Sequence, residues 1–246
     1  MKHRMRFWVV LVVAAACLLL LGTRLAVPWL VARSLKASAD PEYFAAEIAN
    51  FATTDRDHPL TVRPIVFVGS SSIRLWDSLQ ADMAPWPVLN RGFGGARISS
   101  VDYYLDRVVI QYRPRAVVLY AGDNDIDAGE SADSVANAFR RLVARVESAM
   151  PDARIYYLSM KPNRRYWSNW PKYEQANVRI QAVCASDVHL GYIDAATPLL
   201  AFGSPPPGEL YRFDQMHLSA KGYALWAGII KERLQRDLGT AVQPGS

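Results

Sequence analysis

From Pro64 onward, short apolar runs alternate with helical patterns, and that alternation restricts the fold more than any other feature of the chain. The strand-like runs are Ile65–Val68, Val88–Asn90, Ala116–Tyr120, Arg154–Leu158 and Val188–Ile193. Helical spacing occupies Ile73–Gln80, Ser99–Gln111, Ser131–Ser148 and Lys172–Ala185, and a last helix is expected over Ser219–Leu238. Parallel strands need a long crossover, and a helix supplies it. Strands covered on both faces read as near-continuous apolar runs, as these do. The pattern predicts an α/β fold in which helices cover both faces of a five-stranded parallel sheet.

The chain ahead of Pro64 is different. Residues 1–6 are basic, Phe7–Gly22 is an uninterrupted apolar run, and apolar character resumes from Leu25 to Ala32. With Arg24 snorkelling to the interface, a membrane span reaching Trp29 or Leu30 is expected. Ala37-Ser38-Ala39 comes late for a signal-peptidase site, and Leu18–Leu21 continues the apolar run past Cys17, against a lipoprotein. An uncleaved signal anchor over residues 1–36 fits best, and the positive-inside rule then places the folded domain outside the cytoplasm. Residues 38–51 carry Tyr43, Phe44, Ile48 and Phe51 at helical spacing, and 52–63 read as a polar linker. The expected divisions are thus an anchor over 1–36, a leading helix and linker over 37–63, and the main domain over 64–240.

Charge location decides one function class. Six of the 28 basic residues, and no acid, fall within residues 1–39. The remainder holds 22 basic against 23 acidic residues. A near-neutral folded domain gives nucleic-acid binding no support. Cys17 and Cys184 have no metal-ligand spacing around them, and Cys184 reads as a small buried apolar side chain.

In an open parallel sheet, ligands bind beyond the carboxyl ends of the strands. Gly69-Ser70-Ser71-Ser72 follows the first strand, and Asn90-Arg91-Gly92-Phe93-Gly94-Gly95 the second. Gly122-Asp123-Asn124-Asp125 follows the third, and Asp214-Gln215-Met216-His217 precedes the last helix. A serine hydroxyl needs a base to become a nucleophile, and His217 has an acid three residues before it that can orient the imidazole. The glycines permit close backbone approach and an N–H aimed into a site. Asn124 offers a side-chain donor. The glycine run lacks dinucleotide spacing, and Gly-Asp-Asn-Asp lacks the later ligands of a calcium loop. No cofactor or metal is expected.

In this order the four clusters resemble the SGNH (GDSL-type) hydrolases, whose four blocks carry Ser, Gly, Asn and His. The resemblance covers most of residues 64–238 and implies a flavodoxin-like three-layer α/β/α sandwich. It implies ester hydrolysis through an acyl-serine, with Ser71 as nucleophile and Asp214 and His217 completing the triad. Gly95 and Asn124, with the Ser71 N–H, match the oxyanion hole. Ser70 stands where the family usually has aspartate, which leaves Ser70 and Ser72 as rivals to Ser71, and Gly94 is a rival to Gly95.

The leading expectation is a membrane-anchored serine esterase acting on a small ester, a lipid or an acylated glycan. O-acyl transfer or deacetylation on an envelope polysaccharide is a second reading. A non-catalytic binding domain that keeps the fold is a third. Lys161–Trp170, basic and aromatic, would form the rim of the site and either bind substrate or pack as a loop.

Overall fold

The computed structural model describes residues 37–57 and 63–239. The expected anchor, residues 1–36, lies outside them. Among the described residues, no helix is long and apolar enough to cross a membrane.

A 3-10 turn, Pro41–Phe44, leads into α1 (Ala45–Asp57). Then follow β1 (Ile65–Gly69), α2 (Ser71–Arg74), α3 (Leu79–Asp82) and β2 (Val88–Gly92). Next come α4 (Ile98–Tyr103), α5 (Leu105–Val108), β3 (Ala116–Tyr120), α6 (Asp123–Asp127) and α7 (Ala132–Ala149). The chain closes with β4 (Arg154–Leu158), α8 (Trp170–Cys184), β5 (Leu190–Ile193), α9 (Thr197–Leu200) and α10 (Ala220–Leu238).

All strand pairs are parallel, in the order β2-β1-β3-β4-β5. This is the doubly wound order whose switch point lies between β1 and β3, where connections leave in opposite directions and open a crevice. Strand residues alternate between two cores. Val66, Val68, Val117, Leu119, Ile155 and Tyr157 face one, with Phe139 and Leu142 of α7 and Ile180 of α8. Ile65, Phe67, Val118, Tyr120, Tyr156 and Leu158 face the other, with Trp226 and Ile230 of α10. The two long helices begin at serines whose side chains accept the N–H three residues on, Ser131 from Ser134 and Ser219 from Gly222.

Register aligns the carboxyl ends. Gly69 stands opposite both Gly92 and Tyr120, so the segments after β1, β2 and β3 emerge side by side.

Four expected elements differ. The helix expected over Ile73–Gln80 is two single turns, α2 and α3. Between them Trp76 turns into the core against Phe67 and Tyr223, its indole N–H donating to Asp82 at 2.6 Å. Ser99–Gln111 breaks into α4, α5 and a 3-10 turn at Ile110–Tyr112, because buried Val109 leaves helical geometry (φ −134°, ψ −63°). The last strand starts at Leu190, leaving Val188 82% exposed. The polar stretch from residue 52 is helical through Asp57. Asp55 pairs there with the buried Arg91 of β2 and accepts the Tyr112 hydroxyl at 2.6 Å, so the helix must run on to reach them.

Candidate active site

Gly69 ends β1 with φ +137°, and a Cβ on it would stand 1.9 Å from the Tyr120 carbonyl oxygen. The Ser70 N–H donates to that same oxygen at 2.9 Å, so the turn into α2 lies hard against β3. Ser70 and Ser72 are buried, and the Ser70 Oγ has no hydrogen-bond partner among the described residues. Ser71, at the first position of α2, is part-exposed. The structure separates the three serines by direction: only the middle hydroxyl faces outward toward a base.

The group it faces is the His217 imidazole. The Ser71 Oγ lies 2.7 Å from His217 Nε2, and His217 Nδ1 lies 2.6 Å from Asp214 Oδ2. The other Asp214 oxygen accepts the N–H groups of Met216 at 2.9 Å and His217 at 3.0 Å. One carboxylate therefore folds the turn with one oxygen and orients the ring with the other. With Nδ1–H donating to Asp214, Nε2 presents its lone pair to the Ser71 hydroxyl.

Electrostatics favours that state. Burial lowers the proton affinity of His217, the Asp214 hydrogen bond opposes this, and the Lys161 charge lowers it further, leaving it below the ordinary imidazole value. Burial pushes the Asp214 carboxyl up, but hydrogen bonds from the His217 ring and from the two N–H groups outweigh it and hold the group below the usual carboxylate value. At neutral pH the pair is an ionised acid and a neutral imidazole, able to accept a proton from serine.

The glycine loop comes in beside β1 because the Phe93 N–H donates to the Gly69 carbonyl at 2.9 Å. The Gly94 N–H is taken by the Glu47 carboxylate at 3.2 and 3.3 Å. Gly95 has φ +80°, and its N–H, like that of Ser71, has no acceptor among the described residues. The two glycines are thus distinguished by what their donors already hold. Asn124, in the first turn of α6, donates from Nδ2 to the Ala96 carbonyl at 3.1 Å, and Asp125 Oδ2 accepts the Ile98 N–H at 3.2 Å. Those two bonds fasten the asparagine turn to the glycine loop.

Three residues outside the motifs join the site. Glu47, on α1, pairs with Arg74 at 3.5 Å as well as with Gly94, so the leading helix braces the glycine loop. Lys161, fully buried just after β4, donates from Nζ to the Met216 carbonyl at 2.8 Å. It also lies 5.9 Å from the centre of the Tyr120 ring. The expected rim divides: Lys161 to Asn163 are buried, Arg164 and Arg165 are exposed, and Trp167 stacks on Trp170 with ring centres 6.3 Å apart. Cys184 is buried, its thiol pushed up to about 12 by burial.

A cleft of about 560 Å³ opens beside Asp214, lined by Arg164, Arg165 and Phe213 among others. Another of the same volume, between Arg63, Arg113 and Met150, lies at the amino ends of the strands, away from these residues.

The arrangement has what acyl transfer requires: a serine on a base, the base on an acid, and donors unclaimed beside them. Known proteins share parts of this sequence and this fold. The chain is 27% identical over 168 residues to the human platelet-activating factor acetylhydrolase IB subunit alpha1, covering 65% of this chain and 70% of that protein. A GDSL-like lipase from Bacteroides thetaiotaomicron shares the fold with a TM-score of 0.62 at 18% identity, over 81% of this chain and 98% of that one. An acetylxylan esterase from Geobacillus stearothermophilus does so with a TM-score of 0.57 at 14% identity, over 74% and 96%. The sequence profile of the GDSL-like Lipase/Acylhydrolase family matches residues 67–225, and the chain belongs to that family of ester-bond hydrolases.

Proposed function

We propose that the protein is a serine esterase for short-acyl, acetyl-type esters, with Ser71 as nucleophile, His217 as general base and then acid, and Asp214 orienting the imidazole. The hydrogen-bond chain from Ser71 through His217 to Asp214, at 2.7 and 2.6 Å, carries this reading. As Ser71 Oγ attacks the carbonyl carbon, His217 Nε2 takes its proton. The oxygen that becomes negative is received by the N–H groups of Ser71 and Gly95 and by the Asn124 amide. Each such donor contributes about 2.7–4 kcal/mol in comparable sites. His217 then protonates the departing alkoxide, and water repeats the sequence on the acyl-serine to release the acid.

Two of the three relatives named above, an acetylhydrolase and an acetylxylan esterase, support the short acyl group, and the third is a GDSL-like lipase. The apolar run Phe7–Gly22, with basic residues ahead of it, supports an enzyme tethered to a membrane with its catalytic domain outside the cytoplasm.

The test is hydrolysis of 4-nitrophenyl acetate, butyrate and octanoate by wild type and Ser71→Ala. Wild type should prefer acetate, and the variant should lose roughly 10⁴-fold or more. Fluorophosphonate labelling should disappear with the hydroxyl. Retained turnover in Ser71→Ala would remove Ser71 from the mechanism, and octanoate preference would remove the acetyl assignment. Recovery of the full-length chain in the soluble fraction of cells would end the tethering proposal.

A further inference from the structure

The cleft beside Asp214 has no role in the steps above. Its walls are Arg164, Arg165, Pro205, Phe213, Asp214 and Gln215, and the Phe213 ring is 97% exposed. Among the described residues, neither arginine has a carboxylate within ion-pairing distance. Arg164 Nη1 donates to the Pro206 carbonyl at 3.0 Å, and Arg165 Nε to the Tyr166 hydroxyl at 3.4 Å. Each guanidinium has five N–H groups, so most remain available. Asp214, the acid on the wall, is already committed to His217 and to its own turn. The cleft therefore presents two adjacent cations, neither ion-paired, against one carboxylate that is turned to His217 and its own turn, a net positive charge on a domain that is otherwise close to neutral.

The pair is also mounted on the catalytic turn. The N–H groups of Arg164 and Arg165 both donate to the Gln215 carbonyl, at 3.0 and 3.1 Å. The Asn163 side chain, buried, accepts the Tyr166 N–H at 2.7 Å and closes the arginine-bearing turn. Gln215, at φ +58°, is the residue directly after Asp214. The backbone that carries the arginines therefore keeps a set position relative to Asp214 and His217.

Direction follows from the chemistry. His217 must deliver its proton to the departing alkoxide, so the alcohol part of the ester lies on the His217–Asp214 side of Ser71. The Gly95 and Asn124 donors take the opposite oxygen. We infer that the Arg164–Arg165 cleft binds an anionic oxo group, carboxylate or phosphate, carried on the alcohol portion of the ester. Planar guanidinium forks suit either oxoanion. This deepens the esterase reading and rests on it for the orientation of the substrate.

The experiment compares 4-acetoxybenzoate with its uncharged methyl ester, and acetyl glycerol 3-phosphate with acetyl glycerol, in wild type and in Arg164→Gln/Arg165→Gln. The selectivity for charged over uncharged substrate should fall about tenfold in the variant, through KM of the charged ester, and the wild-type preference should weaken with salt. A fall for one anion only supports the inference and identifies the oxoanion. Selectivity within twofold of wild type for both pairs overturns it. A binding measurement needs no turnover: 4-hydroxybenzoate and methyl 4-hydroxybenzoate are titrated into Ser71→Ala, with tryptophan fluorescence as signal. Tighter binding of the anion, lost when Arg164→Gln/Arg165→Gln is combined with Ser71→Ala, supports the cleft assignment, and equal binding overturns it. Absent turnover of every neutral acetate by wild type would instead sink the esterase reading, with the binding result still deciding the cleft.

Discussion

The Lys161 ammonium, buried beneath the catalytic turn, donates a 2.8 Å hydrogen bond to the carbonyl of Met216, the residue between Gln215 and His217. It holds the turn from below while Asp214 holds it from above. Its charge also opposes protonation of His217, after burial the other influence that lowers the imidazole. Lys161→Met keeps much of the volume but leaves the Met216 carbonyl without its donor, a loss of about 1–3 kcal/mol for a buried acceptor. We expect kcat/KM to fall about tenfold, or ~1.4 kcal/mol. The acid limb of the kcat/KM profile should move to higher pH, because the base becomes easier to protonate once the cation is gone. A packing defect alone would lower the profile without moving the limb, and that outcome would reduce Lys161 to a structural role.

Asp214 acts on His217 in the opposite sense, raising its proton affinity through the Oδ2 hydrogen bond. Asp214→Asn can still accept the Met216 and His217 N–H groups through its one oxygen. Its amide then faces Nδ1 as a donor, which favours the tautomer with Nε2 protonated and unable to take the serine proton. A loss of about 10³–10⁴ in kcat is expected. The acid limb of the remaining activity should move to lower pH, opposite to Lys161→Met. Limbs that shift in the same direction in both variants would contradict the assigned charges.

Gly94 and Gly95 give a paired test of the oxyanion donor. At Gly95, φ +80° strains any side chain, so Gly95→Ala should rotate the peptide and withdraw its N–H. The expected loss is about 10²–10³ in kcat with little change in KM. At Gly94 the N–H is held by Glu47, and an added Cβ meets only the end of the flexible Arg74 side chain at 3.0 Å. Gly94→Ala should cost less than tenfold. The reverse ranking would make Gly94 the donor.

The strands were readable because their residues are apolar on both faces, and Ile65–Val68 or Ala116–Tyr120 cannot easily be anything else. The gathering of Ser71, Asn124 and His217 followed from one rule, that parallel strands place their carboxyl ends together. Ser71 was singled out among the three serines by the family resemblance alone, since which hydroxyl faces the imidazole depends on side-chain direction at a helix start. Gly95 was likewise preferred to Gly94 through the resemblance, and the physical difference between them, Glu47 on the Gly94 N–H, comes from a helix 47 positions earlier in the chain. Lys161 was hidden for a related reason. Next to Pro162 and two arginines it reads as rim, and only tertiary structure brings its ammonium to a carbonyl 55 residues away. The continuation of α1 to Asp57 depends on Asp55 meeting Arg91, again a long-range pairing. What local pattern missed was a set of polar contacts made across the fold.

Asp125 gives the fold a pH dependence of its own. It is 5% exposed, and burial pushes its carboxyl from 3.8 to about 7, with the Ile98 N–H opposing and the Asp123 charge adding to the rise. The folded state holds this proton more tightly than the unfolded chain does. Its contribution to stability is therefore full below about 3.8 and is lost as pH rises through about 7. At 1.36 kcal/mol per pH unit, that interval corresponds to about 4 kcal/mol at most. Asp125→Asn retains an oxygen for the Ile98 N–H and does not titrate. The variant should melt close to wild type at pH 4 and several degrees above it at pH 8, with the difference growing steadily between. Thermal melts of both proteins at pH 4, 6 and 8 measure this directly, and groups common to the two proteins cancel in the difference. A gap that stays constant with pH would mean that Asp125 does not change protonation over this range.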